Sequence, residues 1–355
     1  MGKKVASKGP AAAAAAAAAK ANLKKAKAAA GASASGAAAA APTSGNWTGS
    51  TVSVAKLQDL VDSGDLQAQD IIHWRAPGNE VVPAPRDSEV IIFADHLNRG
   101  FKPPGSLFFR TLLAYYGLRP QDLAPNSILS LSNFTVLCED YLQMEPSLDL
   151  FLEFFYCNPQ RSSATLPLNI CGGVAIQRRR DSLFPALKLN SHPRAWQSTF
   201  FYCKDTSPKG QPRLPGFRAE PLVLGESTNS YAKNRAALAP ILSRIRALKA
   251  HGLKGTDLVK CWVGWCIKPL SIRPKLICDY TNIPSDCLRF TFEEPDDEEV
   301  IRTSKKLLSE SIATITLDGL LPFSSENPAP KVLNLLPSNS YTSFFLSLLY
   351  FNNPS

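Results

Sequence analysis

No apolar run in this chain is long enough to cross a membrane. The apolar C-terminal stretch Tyr341–Phe351 has eleven residues, and Pro337 and Asn339 stand just before it. A spanning helix needs about 20, so the stretch reads as a docking or frayed end. Metal and nucleotide fingerprints are missing too. The eight cysteines form no C-x-x-C pair. Cys261 with Cys266 and Cys278 with Cys287 have no histidine pair beside them, and the spacing of a zinc knuckle does not occur. The four histidines (His73, His96, His192, His251) are isolated, and His96 is expected in a structural role on a helix. Gly172-Gly173 lacks the glycine pattern that cradles phosphates. There is no internal repeat.

Carboxylates give no catalytic pattern either. Asp140, Asp149, Asp279 and Asp286 define no polymerase or integrase site, and Asp296-Asp297-Glu298-Glu299 reads as a solvated helix start that complements the dipole. Asp62-Ser63-Gly64 is similar to the core of retroviral-type aspartic proteases, where two Asp share a proton. Asp65 stands where that loop needs a small residue, however. Val54, Leu57, Leu60 and Val61 recur at helical spacing before it, so the triplet reads as a helix end. The expectation is therefore no catalytic residue, no metal ligand and no cofactor, and it leans away from an enzyme.

No targeting signal fits. Poly-Ala after Lys3-Lys4 is too weakly apolar for a secretory segment, Ala6 stands where myristoylation requires Ser or Thr, and the Ala/Ser-rich start has no Arg for a transit peptide. The glycosylation triplets at Asn46 and Asn133 carry no weight without secretion. A nuclear or cytoplasmic location with reduced thiols follows as the expectation.

What is present is positive charge, unevenly placed. The formal net charge is +9. Residues 1–50 hold seven lysines and no acid, which leaves 32 basic against 30 acidic residues elsewhere. Within that near-neutral body, residues 158–220 carry ten Lys/Arg against Asp181, Asp205 and Glu220, a local +7. Such asymmetry speaks to polyanions as partners.

The pattern predicts a mainly α fold with a small β component (α+β), a helical scaffold with short strands in the central basic region. Five parts are expected: 1–50, a disordered Ala/Lys-rich tail; 51–157, a helical N-terminal subdomain; 158–225, a basic loop and strand region; 226–320, a helical C-terminal subdomain; 321–355, a poorly structured tail. A first helix follows Ser53, and Ala76–Arg86 is an extended linker. Four short helices come next. Ser88 caps one through Leu97 and Ser106 one closed by Gly117. Pro125-Asn126 opens a third, and Pro146-Ser147 a fourth that includes Phe155. Gly172–Gln177 and Thr199–Cys203 read as strands. Ser230–His251 is helical with Pro240 splitting or kinking it, Thr256 caps a helix through Cys266, and Val300–Ile315 closes the series.

The residues of this helical series make a recognisable set. They are Val90-Ile91-Ile92-Phe93, Arg99-Gly100-Phe101, Pro104, Phe108-Phe109, Leu112-Leu113, Tyr116-Gly117-Leu118, Leu123 through Ile128, Phe134, Leu137-Cys138-Glu139, Leu150-Phe151 and Phe154-Phe155. In order and spacing the set resembles the gypsy-type transposon domain of plant, especially grass, retroelement-derived reading frames. Gly172-Gly173-Val174, Trp196, Phe200-Phe201, Gly252-Leu253 and Lys268-Pro269-Leu270 look like the rest of those proteins, so the likeness spans roughly 81–292. The family brings no established activity and no defined catalytic residues. The resemblance implies retroelement origin.

The candidate binding residues are cations of the central stretch with an aromatic between them: Arg178, Arg179, Arg180, Lys188, Arg194, Trp196, Lys204, Lys209, Arg213 and Arg218. Lysine and arginine neutralise phosphates and aromatics stack on unpaired bases. The alternative is a basic surface over a buried aromatic strand. The expected protein is a non-enzymatic interaction protein, Gag-like, with loose nucleic-acid binding through the basic region and tail, or self-association. A DNA-binding transposase-type protein and an enzyme with an unrecognised site stand beside it.

Overall fold

The computed structural model describes residues 47–263 and 297–309, apart from Gly64, Gln143, Ala164 and 226–228. The lysine tail, Cys266, Cys278, Cys287, Asp279, Asp286, the Lys268-Pro269-Leu270 triplet, the continuation of the last helix and the C-terminal apolar stretch lie outside the described residues. Within them the architecture is mixed α+β, as the sequence predicts. The helices are α1 (Val54–Asp62), α2 (Gln69–Ile72), α3 (Ala94–Leu97), α4 (Leu107–Tyr116), α5 (Pro125–Val136), α6 (Leu148–Phe154), α7 (Ala239–Ala250), α8 (Gly255–Cys261) and α9 (Asp297–Leu307). The strands are β1 (Trp74–Arg75), β2 (Glu89–Phe93), β3 (Phe155–Pro159), β4 (Val174–Arg178) and β5 (Phe200–Lys204). They form two antiparallel sheets, one ordered β1-β5-β2 and the other β3-β4.

Caps set the helix starts where the sequence places them. The hydroxyls of Ser53, Ser106 and Ser147 accept from the backbone N–H groups of Lys56, Phe109 and Leu150. Pro125 sits in the first turn of α5, where its missing N–H costs nothing. Gly117 closes α4 at φ 68°, a left-handed conformation that only glycine adopts without strain. Asp62 ends α1 and Ser63 caps it, so Asp62 and Ser63 form a helix terminus.

Four expectations are corrected. The helix read over Val90–Leu97 is strand β2 followed by the single turn α3, and Ser88 is a positive-φ turn residue rather than a cap. Its Val-Ile-Ile-Phe run is β-branched and aromatic, the composition that suits a pleated strand. Phe155 starts β3 instead of finishing α6. The helix read from Ser230 begins only at Arg235, as a 3₁₀ turn over Arg235–Leu238 that passes into α7 at Pro240, so Pro240 splits the stretch rather than kinking it. Lys254, not Thr256, precedes α8, with the Asp257 carboxylate accepting from the Lys254 N–H.

The main core runs from Val52 to Leu308 and joins helices α4 to α9 to one face of the three-stranded sheet. A second cluster covers the other face with Trp47, Ile91, Phe93, Cys171, Trp196, Phe200 and Tyr202. Inside the main core, Phe134 of α5 is the hub of an aromatic group. Its ring meets Phe108 (5.2 Å), Phe151 (5.7 Å), Phe155 (6.1 Å) and Phe154 (6.3 Å). It is completely buried. Deleting a ring in such a setting loses both transfer energy and the edge-to-face contacts, and leaves a cavity. We expect Phe134→Ala to cost about 3–5 kcal/mol and Phe134→Leu distinctly less, measured by denaturant unfolding at constant m-value.

Candidate functional site

The ten candidate residues fall into two groups. Arg180, Lys188, Arg194, Lys204, Lys209, Arg213 and Arg218 are exposed. Arg179 and Trp196 are buried, at 7% and 2% exposure, and Arg178 is half-buried. The guanidinium of Arg179 spans the junction of α6, β4 and the 229–231 segment. Its Nε donates to Leu152 O (2.9 Å), Nη1 to Asn229 Oδ1 (2.7 Å) and Nη2 to Ser230 O (2.6 Å), and the Tyr231 ring lies 3.8 Å from its Cζ. Arg179 is thus a clamp. The backbone of Arg218 is held as well, its carbonyl accepting from Gln121 Nε2 at 2.8 Å and Arg119 Nη1 at 3.3 Å. Arg119 is fixed in turn by the buried Asp122 carboxylate, through Nη2–Oδ1 at 2.6 Å and Nε–Oδ2 at 2.9 Å.

A cleft of about 530 Å³ opens between the start of α5, strand β4 and the 184–197 segment. Ser127 Oγ accepts from Ile176 N (3.0 Å) and Asn126 Nδ2 donates to Asn190 O (2.9 Å), which ties the three walls together. Phe155, Phe184 and Trp196 supply apolar wall, and Gln160, Asn169 and Gln177 supply amides. Among the described residues Arg178 is the one permanent cation lining it, and its Nη1 donates to Ser182 O (2.8 Å). Among the described residues no carboxylate lines it. Arg180, Lys188 and Arg194 are exposed and each stand within two residues of a lining residue along the chain, as do the exposed Arg161 and the acids Asp122 and Glu153. Sequence reasoning found Arg178 and Trp196 but missed the amides. They come from three different stretches and carry no local signal.

Trp196 is the wall's anchor. It stacks on His96 of α3 (5.4 Å between centroids) and meets Phe93 edge-on at 4.9 Å. His96 is buried, as the structural reading of it expects, and its Nε2–H donates to Leu123 O at 3.0 Å. Burial pushes the imidazole down to about 3, so it is neutral at pH 7. His192, which lines the cleft, is also held below the ordinary imidazole value, by burial first and then by the Arg99 charge. The described cysteines, Cys138, Cys157, Cys171, Cys203 and Cys261, are buried and form no disulfide with one another. Among the described residues no group of three His, Cys, Asp or Glu is placed to hold a metal ion, and no helix is long and apolar enough to cross a membrane.

Residues 90–159 match the family described as "Putative gypsy type transposon". The matched segment runs from β2 to the end of β3 and supports a retroelement-derived origin. No curated protein and no solved structure matches the chain.

Two outcomes follow from this geometry. Arg179→Gln leaves a buried carbonyl unpaired and should cost about 2–4 kcal/mol, whereas Arg180→Gln should stay within about 0.5 kcal/mol of the parent; thermal and urea melts of both variants check it. The folded state binds the His96 proton more weakly than the unfolded chain does. The stability it confers is therefore complete above pH 6.5 and is lost as pH falls toward 3. Melting temperature should drop between pH 6.5 and 4.5, before ordinary carboxylates titrate, and His96→Gln should flatten that drop.

Proposed function

We propose that this chain is a non-enzymatic interaction protein of retroelement origin that binds nucleic acid loosely through charge, in the manner of a Gag-like protein. What supports the reading is a cleft with Arg178 in its wall and, among the described residues, no acidic lining, with the exposed Arg180, Lys188 and Arg194 close to it along the chain. Cations fixed beside a low-dielectric concavity concentrate polyanions, and each phosphate neutralised releases condensed counterions. The exposed Lys204, Lys209, Arg213 and Arg218 and the seven lysines of the tail add affinity that does not depend on sequence. Arg179 and Trp196 serve this reading indirectly, by holding the wall in shape.

The test is a titration of the full chain with random-sequence single-stranded DNA across a series of salt concentrations. Replacing Arg180, Lys188 and Arg194 together by glutamine should weaken binding and reduce the slope of log K against log salt by about 2, three contacts at ~0.7 each. An unchanged slope would remove these three cations from the reading. A preference for one duplex sequence above the random background would favour the transposase-type alternative. Concentration-dependent self-association without nucleic acid would favour assembly.

A further inference from the structure

We infer that Tyr231, which with Tyr156 flanks the Arg179 guanidinium, is a stacking platform for the bases of a single-stranded nucleic acid. The inference rests on the nucleic-acid reading and adds to it a contact that does not depend on charge. Tyr231 is the one exposed phenylalanine, tyrosine or tryptophan among the described residues, with 53% of its surface open. The register of β3 against β4 pairs Tyr156 with Gln177 and Phe155 with Arg178. Alternation along a strand puts the first pair on one face of this sheet and the second pair on the other. Arg179 comes two residues after Gln177, and its Cζ lies 5.7 Å from the Tyr156 ring and 3.8 Å from the Tyr231 ring. The two tyrosines and the guanidinium between them thus share one surface.

The Tyr231 ring is held before any ligand arrives. Three hydrogen bonds fix the Arg179 guanidinium, and the ring lies against that fixed plate. The Cζ of Arg235 stands 5.3 Å from the same ring, and its Nη2 donates to Glu153 Oε1 at 2.6 Å. The Arg235 side chain is nevertheless 60% exposed. The Tyr156 hydroxyl donates to Gln177 Oε1 at 2.6 Å, which orients the second ring. An aromatic surface set in advance has less freedom to lose on binding than a loose one. The three groups that accept from Arg179 are two carbonyls and a side-chain amide, so these contacts place two guanidiniums against the single carboxylate of Glu153. The surface therefore joins an open ring to an excess of positive charge. Every base has a π-face, so such a ring accepts bases without regard to sequence, while cations beside it neutralise the phosphates. Bases inside a duplex stack are closed to it, and those of a single strand are open. An apolar peptide would be served worse, because it would desolvate Arg235 and Glu153 and offer them no hydrogen bond.

The experiment titrates the full chain with a labelled oligothymidine 12-mer and with an abasic 12-mer, which keeps the phosphodiester backbone and lacks the bases. We expect the oligothymidine to bind about ten-fold more tightly, the scale of one stacked base, with the same salt slope for both strands. Tyr231→Ala should abolish that difference and leave the affinity for the abasic strand unchanged, whereas Tyr231→Phe should keep it. Circular dichroism melts certify that the variants are folded. Two measurements on the parent protein need no variant: the comparison of the two strands, and photocrosslinking of a strand carrying 5-iodouracil, which should attach at Tyr231 or Tyr156. Equal affinity for the two strands overturns the inference, and so does a folded Tyr231→Ala protein that still prefers the oligothymidine. If both strands bind equally, with a salt slope that falls when Arg180, Lys188 and Arg194 are replaced, the looser charge reading stands without the platform. Binding of neither strand removes both.

Discussion

From Phe200 to Cys203 strand β5 is buried on both faces, and the rest of the molecule is arranged around that constraint. It lies between β1 and β2, with Phe201 and Cys203 in the main core and Phe200 and Tyr202 in the second cluster. Its register against β2 pairs Cys203 with Val90 and Phe200 with Phe93, so four apolar side chains on each strand divide by alternation between two clusters. A one-residue slip would exchange every one of them. Both clusters must therefore form for the strand to be satisfied. The outer one is completed by Trp47 and Trp196, and the Ser50 hydroxyl donates to Phe200 O at 2.5 Å. The central basic stretch is fixed to the N-terminal helices by this strand. The cleft inherits its shape from the attachment, because Trp196 stands in the 3₁₀ turn that leads directly into β5.

The run Arg178-Arg179-Arg180 shows how a cluster of charge is divided by structure. Arg178 ends a strand and faces the cleft, Arg179 turns inward and satisfies two backbone carbonyls and a side-chain amide, and Arg180 is left in solvent. Successive residues at a strand end point in alternate directions, so three adjacent cations acquire three different tasks. The local +7 of residues 158–220 overstates the surface field for the same reason. Planar guanidinium with fixed donors suits the buried position, where a lysine would leave carbonyls unpaired.

This explains what could be read from the sequence and what could not. Helices α1, α4, α5 and α6 were legible because serine hydroxyls, a proline and a left-handed glycine mark their ends by local chemistry. Strands β4 and β5 were legible as short apolar runs between turn residues. Strand β2 was not, since an apolar run buried on both faces shows no alternation and shares its composition with a buried helix. Its neighbour β5 lies more than a hundred residues away, and no local pattern reports that pairing. The site divides similarly. Cationic residues announce themselves by composition, but burial of Arg179 and the amide lining depend on partners from distant segments. Gln177 and Asn169 look like any surface amide until Tyr156 and Ser162 orient them.

The lining also bears on whether the cleft binds or reacts. Cys171, His192 and Asn169 all border it, residue types that elsewhere make a thiol nucleophile with its base and orienter. Their electrostatics run against that use. Burial, reinforced by the Asp122 charge, pushes the Cys171 thiol well above its ordinary value, whereas an activated cysteine is pushed down by a neighbouring imidazolium. His192 is displaced by burial and Arg99, with Asp95 opposing, and not by the thiol. Asn169 spends its oxygen on Ser162 rather than on the imidazole. A thiol pushed up and an imidazole held down, each by causes other than its neighbour, leave the described lining with amide groups, Arg178 and aromatic wall. Hydrogen-bonding groups beside a cation and aromatic rings suit an electron-rich ligand, which agrees with the binding proposed above.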